Sequence, residues 1–449
     1  MDQPKKRVVI IGGGFGGLNL AKYLDKKQYD VLLIDKNNYH SFAPLFYQVA
    51  SSGLEPSGIT FPLRREMRRR RMRGCRFSMG TASVIDVSRK EVLTEFEKIP
   101  YDILVIAAGA TNNYFGIEGL KDHVYTMKSA GESIRARNAV LYNLERASQC
   151  SDPEERKALL TFAVVGGGPT GVEIAGALGE MKRWVIAREY PRIRPEEVKV
   201  ILYEGTDKLL RTMSEKSSAD ALRDLGRLMV DVRLGKTMKA YKGDELVFAD
   251  GERVKSRMVI WTAGIVGNPF TIVGSDVKAG PGGRFIVDEF NHVSGLDDVY
   301  AIGDISCHTD ERFPRGCPQL AQPAIQQGRC LARNLNRGNF TEKFEYHDKG
   351  SMATIGRNCA VVDMGKMHIS GWTAWMAWLA VHLVTLLGMR NKIVVFINWI
   401  WSYFGFATSL RLLLKPSKEP HTPVAQAPEV PLPAMPGDAD YKGGRRTGE

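Results

Sequence analysis

The chain has 449 residues, 44% of them hydrophobic, enough to fill roughly two or three cores of ordinary domain size. Its formal charge of +12 suits a polyanionic partner, either an acidic lipid surface or a nucleic acid. The six cysteines form no C-x-x-C pair, which excludes a zinc ribbon and a thioredoxin-like dithiol and leaves free thiols of a reducing compartment as the expectation.

The segment Met1–Lys6 is short and polar and runs directly into the apolar stretch Arg7–Ile11. It has no room for a signal peptide, so the expected compartment is that of synthesis, a bacterial cytoplasm. Gly12, Gly14 and Gly17 then form G-x-G-x-x-G, with Gly13, Phe15 and Gly16 between them and helix-forming residues after them. The first glycine permits a tight turn, the second a close backbone approach to pyrophosphate, and the third close packing of helix on strand. A second strand, Val31–Ile34, ends in Asp35, placed to accept hydroxyls of an adenosine ribose.

The run Arg64–Arg73 holds seven arginines. Acidic lipid would be attracted to it, and a solvated helix face is an equally good reading. No RNA- or DNA-binding motif accompanies it, so nucleic acid is not expected.

At residue 161 the first unit recurs. The strand Phe162–Val165 leads into Gly166, Gly168 and Gly171, and the next strand, Val198–Tyr203, ends in Glu204. The insertion Met181–Glu197 lengthens the gap between them, and its part Ala187–Glu197, with Pro191 and Pro195, reads as a loop. A carboxylate at 204 binds a free 2′-hydroxyl and repels a 2′-phosphate, which favours NADH over NADPH. Glu173, two residues after Gly171, falls in the first helical turn by this reading, where the dipole favours its ionised form. Two nucleotide sites on one chain imply hydride transfer from a nicotinamide to a flavin, without saying which elbow holds which.

From Gly371 the composition turns to Trp, Leu, Val and Ile. Gly371–Gly388 and Ile393–Ala407 carry no formal charge, and Arg390, Asn391 and Lys392 separate them. Both are short of the roughly 20 residues that spanning requires. With Trp372, Trp375, Trp378, Trp399 and Trp401 they read as two interfacial helices on one leaflet; a spanning hairpin and a buried dimer helix are the rivals. Beyond Pro416 the chain is proline-rich, and disorder is the expectation.

Further stretches carry a resemblance. Leu104–Ala110, Val259–Ile265 and Val299–Ile305 (VYAIGDI) resemble segments of the two-dinucleotide-binding flavoproteins. Tyr39–Gly53, Ala321–Gly328 (AQPAIQQG), Met352–Asn358 and Arg390–Phe404 resemble type II NADH:quinone oxidoreductases. The likeness runs from about residue 7 to 405 and includes the spacing of the motifs. The resemblance implies an α/β fold with two Rossmann-like domains, the NADH domain inserted in a split FAD domain, plus C-terminal amphipathic helices on a membrane surface. It implies limits of 1–118 and 291–364 for the two FAD pieces, 119–290 for the NADH domain, 365–415 for the membrane helices and 416–449 for the tail.

The resemblance also assigns roles. FAD would be held by Gly12, Gly13, Gly14, Phe15, Gly16, Gly17, Asp35, Tyr39, His40, Val84, Gly109, Asp304, Ala321 and Gln322. NADH would be held by Gly166, Gly168, Gly171, Glu204 and Gly264. Glu173, Gln322 and Gln326 would serve quinone reduction: the amides offer donors and acceptors to a quinone carbonyl, and a buried carboxylate can supply protons. No metal is implied. The expected partners are ubiquinone or menaquinone, a lipid surface and a second copy of the chain. The expected place is the cytoplasmic face of a bacterial inner membrane, in a respiratory chain and without proton pumping. The region of residues 37–53, where disulfide reductases carry a cysteine pair, has none. A sulfide:quinone oxidoreductase, with Cys150 and Cys359 as its thiols, is the rival; a non-catalytic redox sensor is a second.

Overall fold

Val8, Val9 and Ile10 are fully buried because the strand Lys6–Ile11 lies at the centre of a five-stranded sheet covered on both faces. The order is Val299–Ala301, Ile103–Ile106, Lys6–Ile11, Tyr29–Asp35, Cys75–Met79, with every pairing parallel. The edge strand Val299–Ala301 reaches this sheet only after the chain has built a second one. That sheet, also parallel, has the order Val230–Arg233, Lys199–Tyr203, Thr161–Val165, Met258–Trp261. The first Rossmann-like unit is therefore split in sequence and the second lies inside it. A short antiparallel pair, Ala110–Asn112 with Ile265–Gly267, ties the two crossings together.

The computed structural model describes residues 4–117, 119–405 and 411–413. The proline-rich tail, for which the composition suggests disorder, lies outside the described residues, as does most of Gly405–Leu414.

Glycines set two of the closest helix contacts. The helix Phe15–Tyr23 lies against Ala321–Arg337, and a Cβ on Gly328 would stand 2.6 Å from the Gly16 carbonyl oxygen. The helix Pro169–Glu180 presses on the strand Ser351–Gly356, where a Cβ on Gly176 would stand 1.7 Å from the Ile355 oxygen. That strand opens a three-stranded antiparallel sheet with Cys359–Met364 and Met367–Ser370, and two helices follow, Trp372–Thr385 and Met389–Gly405.

Two expectations are corrected. The segment from Ala187 is not one loop: the helix Pro169–Glu180 continues as a π-helical stretch, Met181–Ile186, then Ala187–Glu189, and Pro195–Glu197 forms a 3₁₀ turn. The C-terminal tryptophans do not share one environment. Trp372 and Trp401 are exposed, at 55% and 70%, but Trp378 is buried, stacked on His382 with ring centroids 4.0 Å apart. Among the described residues no helix is long and apolar enough to cross a membrane.

Candidate active site

The two glycine elbows have the same geometry. Gly12 and Gly166 adopt φ of +110° and +113°, which L side chains rarely tolerate. A Cβ on Gly17 would stand 2.0 Å from the Gly12 oxygen, and one on Gly171 would stand 1.8 Å from the Gly166 oxygen. Each following helix begins without a side-chain cap, at Gly14 and at Gly168, and has no acidic residue in its first turn. A Cβ on either cap glycine would meet nothing within 4 Å. Uncapped N–H groups facing open space are what a pyrophosphate requires.

The acidic residue of each unit is tied to its elbow. The Gly13 N–H donates to Asp35 Oδ2 at 2.7 Å and the Gly167 N–H to Glu204 Oε2 at 2.6 Å. Burial raises the pKa of Asp35, and hydrogen bonds from the Asn37 and Gly13 N–H groups oppose the rise. The remaining Glu204 oxygen accepts from the backbone and hydroxyl of Thr206, both at 2.8 Å.

A cavity of about 440 Å³ runs from the first elbow to the edge of the second unit. It gathers Gly13, Gly14, Phe15, Gly16, Asp35, Tyr39, His40, Gly109, Asp304 and Ala321 with Glu173 and Gly264. Gly12 and Gly17 shape the turn beneath it, and Gly166, Gly168, Gly171 and Glu204 form the second elbow beyond its lining. Val84 does not line the cavity; it lies in a separate strand, paired with Leu93 and Thr271. His40 is buried and its Nδ1 lies 2.9 Å from the Gly13 oxygen, so it braces the glycine turn as well as lining the cavity. The glycine turns, the uncapped helix starts and the tied carboxylates all fit a dinucleotide with a flavin ring.

A smaller cavity of about 130 Å³ lies towards the C-terminal helices, lined by Gln48, Glu180, Thr354, Arg357, Trp375 and Trp399 among others. Glu173 and Tyr47 line both cavities and so form the partition between them. Burial pushes the Glu173 carboxyl up to about 8, against a backbone hydrogen bond from Thr354 and the neighbouring Trp378 indole. The helix begins at Pro169, so Glu173 sits past the first turn, and burial outweighs the dipole effect expected from the sequence. Glu180 is likewise raised by burial, and Tyr47 is raised by burial and by Glu173. The Arg357 guanidinium donates to the carbonyls of Ser402, at 2.7 Å, and Tyr403, at 2.9 Å, holding the end of the last helix against this cavity.

Gln322 and Gln326 are placed differently from expectation, because neither lines either cavity. Gln322 donates to the Gly350 carbonyl at 2.9 Å and accepts from the Lys349 N–H at 3.1 Å. Gln326 makes the same two-bond pairing with the backbone of His347, at 2.9 and 3.0 Å. Both amides are engaged with backbone groups and clamp the segment that leads into the strand Ser351–Gly356.

Three residues were missed by sequence reasoning. Gln327, fully buried, accepts from the Gly303 N–H at 2.7 Å and donates to Asn291 at 2.8 Å, which fixes the turn carrying Asp304. Lys128 lines the larger cavity; enclosure by the protein lowers its pKa, and the carboxylates of Asp304 and Glu132 raise it. Tyr47 lay inside the quoted stretch Tyr39–Gly53 without being singled out. Cys150 and Cys359 line neither cavity, which removes the thiols that the sulfide-oxidising alternative needs.

Comparison with known proteins matches residues 6–328 to the pyridine nucleotide-disulphide oxidoreductase family and residues 348–405 to the NDH2 C-terminal domain. A type II NADH:quinone oxidoreductase of Mycobacterium tuberculosis is 37% identical over 422 residues, covering 90% of this chain and 88% of that protein. An internal alternative NAD(P)H-ubiquinone oxidoreductase of Arabidopsis thaliana mitochondria is 31% identical over 437 residues, covering 89% of this chain and 85% of the relative. The fold matches NDH2 of Plasmodium falciparum, solved in complex with NADH, with a TM-score of 0.83, 22% identity, and coverage of 92% of this chain and 100% of that one. The match to a sulfide:quinone oxidoreductase of Aquifex aeolicus is looser, with a TM-score of 0.68, 20% identity, and coverage of 90% and 96%. With both family models in place and a relative this similar over nine-tenths of its length, the chain belongs to the type II NADH:quinone oxidoreductases, enzymes that bind FAD and NADH.

Proposed function

We propose that the elbow at Gly12–Gly17 with Asp35 holds FAD and that at Gly166–Gly171 with Glu204 holds NADH, and that quinone reaches the far side of the Glu173–Tyr47 partition. The observation that carries this reading is the partition itself. One cavity is shared by both nucleotide units, the other faces the C-terminal helices, and among the described residues only Glu173 and Tyr47 line both. Bound FAD supplies a two-electron relay between nicotinamide and quinone.

The chain's own groups do the rest. The helix starts at Gly14 and Gly168 hold the two pyrophosphates, and Asp35 and Glu204 hold the riboses. Trp261, Thr262 and Gly264 confine the nicotinamide end of the larger cavity. Glu173, raised to about 8, carries a proton at neutral pH that it can give to the quinone oxygen. Gln322 and Gln326 act as positioning residues, holding the segment before the strand that bears Thr354.

The domain limits of 1–118, 119–290, 291–364 and 365–415 belong to this reading. So do docking of the exposed faces of Trp372–Thr385 and Met389–Gly405 on the cytoplasmic leaflet of a bacterial inner membrane, and a homodimer, which rests on the family resemblance. Exposed Trp372, Phe396, Ile397, Trp401 and Phe404 support the docking. The test is anaerobic. NADH should bleach the flavin absorbance, and a soluble quinone should restore it. Purified protein without a yellow chromophore, or reduced protein that quinone leaves bleached, would overturn the proposal.

A further inference from the structure

We propose that Arg65, Arg68, Arg69 and Arg390 form a binding site for the phosphate headgroup of an anionic phospholipid. The inference rests on the membrane-surface reading above and adds to it a defined lipid site.

The arginines come from two distant stretches of sequence and line one cavity, with Arg65 and Arg69 over a single ring. Phe61 is buried, and the turn between the last two helices rests on it: Gly388, at φ +86°, would place a Cβ 2.6 Å from the ring. From the other segment, the guanidinium groups of Arg65 and Arg69 stand 5.8 and 5.0 Å from the centroid of the same ring. The Asn391 amide donates to the Thr60 carbonyl at 2.8 Å and fixes the start of the final helix beside this ring. Phe61, Arg65, Arg69 and Gly388 line a cavity of about 370 Å³ with Arg68, Met389 and Arg390.

Charge is left over at this place. Arg69 pairs with the buried Glu66 at 3.0 Å. Among the described residues, Arg65, Arg68 and Arg390 pair with no carboxylate. Converging guanidinium groups with a single acidic neighbour repel one another and attract an anion, and their planar forks match a phosphate. The apolar surroundings select the source of that phosphate. Met389 and Val384 are exposed at 69% and 71%, and Ile393 is exposed one turn beyond Met389. A phosphate bearing acyl chains satisfies the arginines and covers these side chains at once, whereas a free phosphate satisfies only the arginines.

Co-sedimentation of the full-length, FAD-loaded protein with vesicles tests the site. One set is zwitterionic phosphatidylcholine; the other contains phosphatidylglycerol. The natural chain should favour the anionic vesicles, and more weakly as salt rises. A variant with Arg65→Gln, Arg68→Gln and Arg390→Gln should lose that preference by about tenfold or more. It should still bind phosphatidylcholine as the natural chain does, with FAD content and turnover on a soluble quinone unchanged. A variant with Arg70→Gln, Arg71→Gln and Arg73→Gln, outside the cavity lining, should lose less. Equal loss in both triple variants, or retained preference in the first, overturns the defined site and leaves membrane docking standing. Failure of the natural chain to bind either vesicle overturns both. Inorganic phosphate at millimolar concentration should not displace the vesicles, and displacement would assign the cavity to the free anion instead.

Discussion

The Trp399 indole N–H donates to the Gln48 side-chain oxygen at 2.8 Å, which ties the last helix to the segment that carries Tyr47. The Gln48 amide in turn donates to the Tyr47 hydroxyl at 2.8 Å, so one chain of hydrogen bonds joins the last helix to the partition between the cavities. Trp399→Phe keeps most of the ring and removes the donor, at a cost of about 1 kcal/mol. We expect the KM for quinone to rise several-fold while the rate of flavin bleaching by NADH stays the same. Slowed bleaching with an unaltered quinone KM would mean that this bond serves the nicotinamide side.

Glu173 gives the pH dependence a definite sign. Its pKa is raised from the usual 4.5 to about 8, so the folded chain holds this proton more tightly than the unfolded one. Its contribution to stability is complete below pH 4.5 and is lost as pH rises to about 8. Quinone reduction should decline as pH passes about 8, where the proton is lost. Glu173→Gln should lower quinone turnover by roughly a hundredfold and abolish that limb of the profile. It should also melt above the natural chain at pH 9 and level with it near pH 4.5. A profile of unchanged shape in the glutamine variant would remove Glu173 as the proton donor.

What the sequence made legible follows from how locally each feature is determined. Glycine at 12 and 166 fixes the backbone within one turn, and the carboxylates at 35 and 204 follow from the next strand, so both elbows could be read directly. The start of the helix bearing Glu173 is also legible, because Pro169 is well suited to a first helical position and places Glu173 beyond the first turn. The amides of Gln322 and Gln326 could not be read, because their direction depends on a segment 28 positions away for Gln322 and 21 for Gln326. Nor could the inward turn of Trp378, since the helix Trp372–Thr385 is apolar nearly all round and offers no polar face to orient it. Lys128 belongs to no motif, and only the folded chain brings it beside Asp304.

In the proposed assignment of NADH to the second elbow, Glu204 sets the choice of nucleotide. Its carboxylate accepts from the Gly167 N–H at 2.6 Å, and with a nucleotide bound at this elbow its charge would repel a 2′-phosphate. The natural chain should show a kcat/KM for NADH at least about tenfold above that for NADPH. Glu204→Gln keeps an acceptor for the Gly167 N–H and removes the charge, so the NADPH value should rise relative to that for NADH. Equal use of both nucleotides by the natural chain would show that the carboxylate does not discriminate.

In the proposed arrangement Gln322 acts through the segment that precedes the strand Ser351–Gly356. Its amide closes two hydrogen bonds on Lys349 and Gly350, and Gly350 is held tightly on its other side, where a Cβ would stand 2.5 Å from the Asp363 oxygen. The next residues form the strand that brings Thr354 and Ile355 to the smaller cavity and packs Ile355 on Gly176. Gln322→Ala releases both backbone groups, at a cost of about 1–2 kcal/mol because solvent can partly replace the amide. The strand should then shift relative to Glu173, slowing reoxidation of the flavin by quinone several-fold, with reduction by NADH as fast as before. Gln322→Glu retains the acceptor for the Lys349 N–H and loses the donor to Gly350, so its reoxidation rate should fall between the two. An alanine variant that slows reduction by NADH instead would place the action of Gln322 on the nicotinamide side and end the positioning argument.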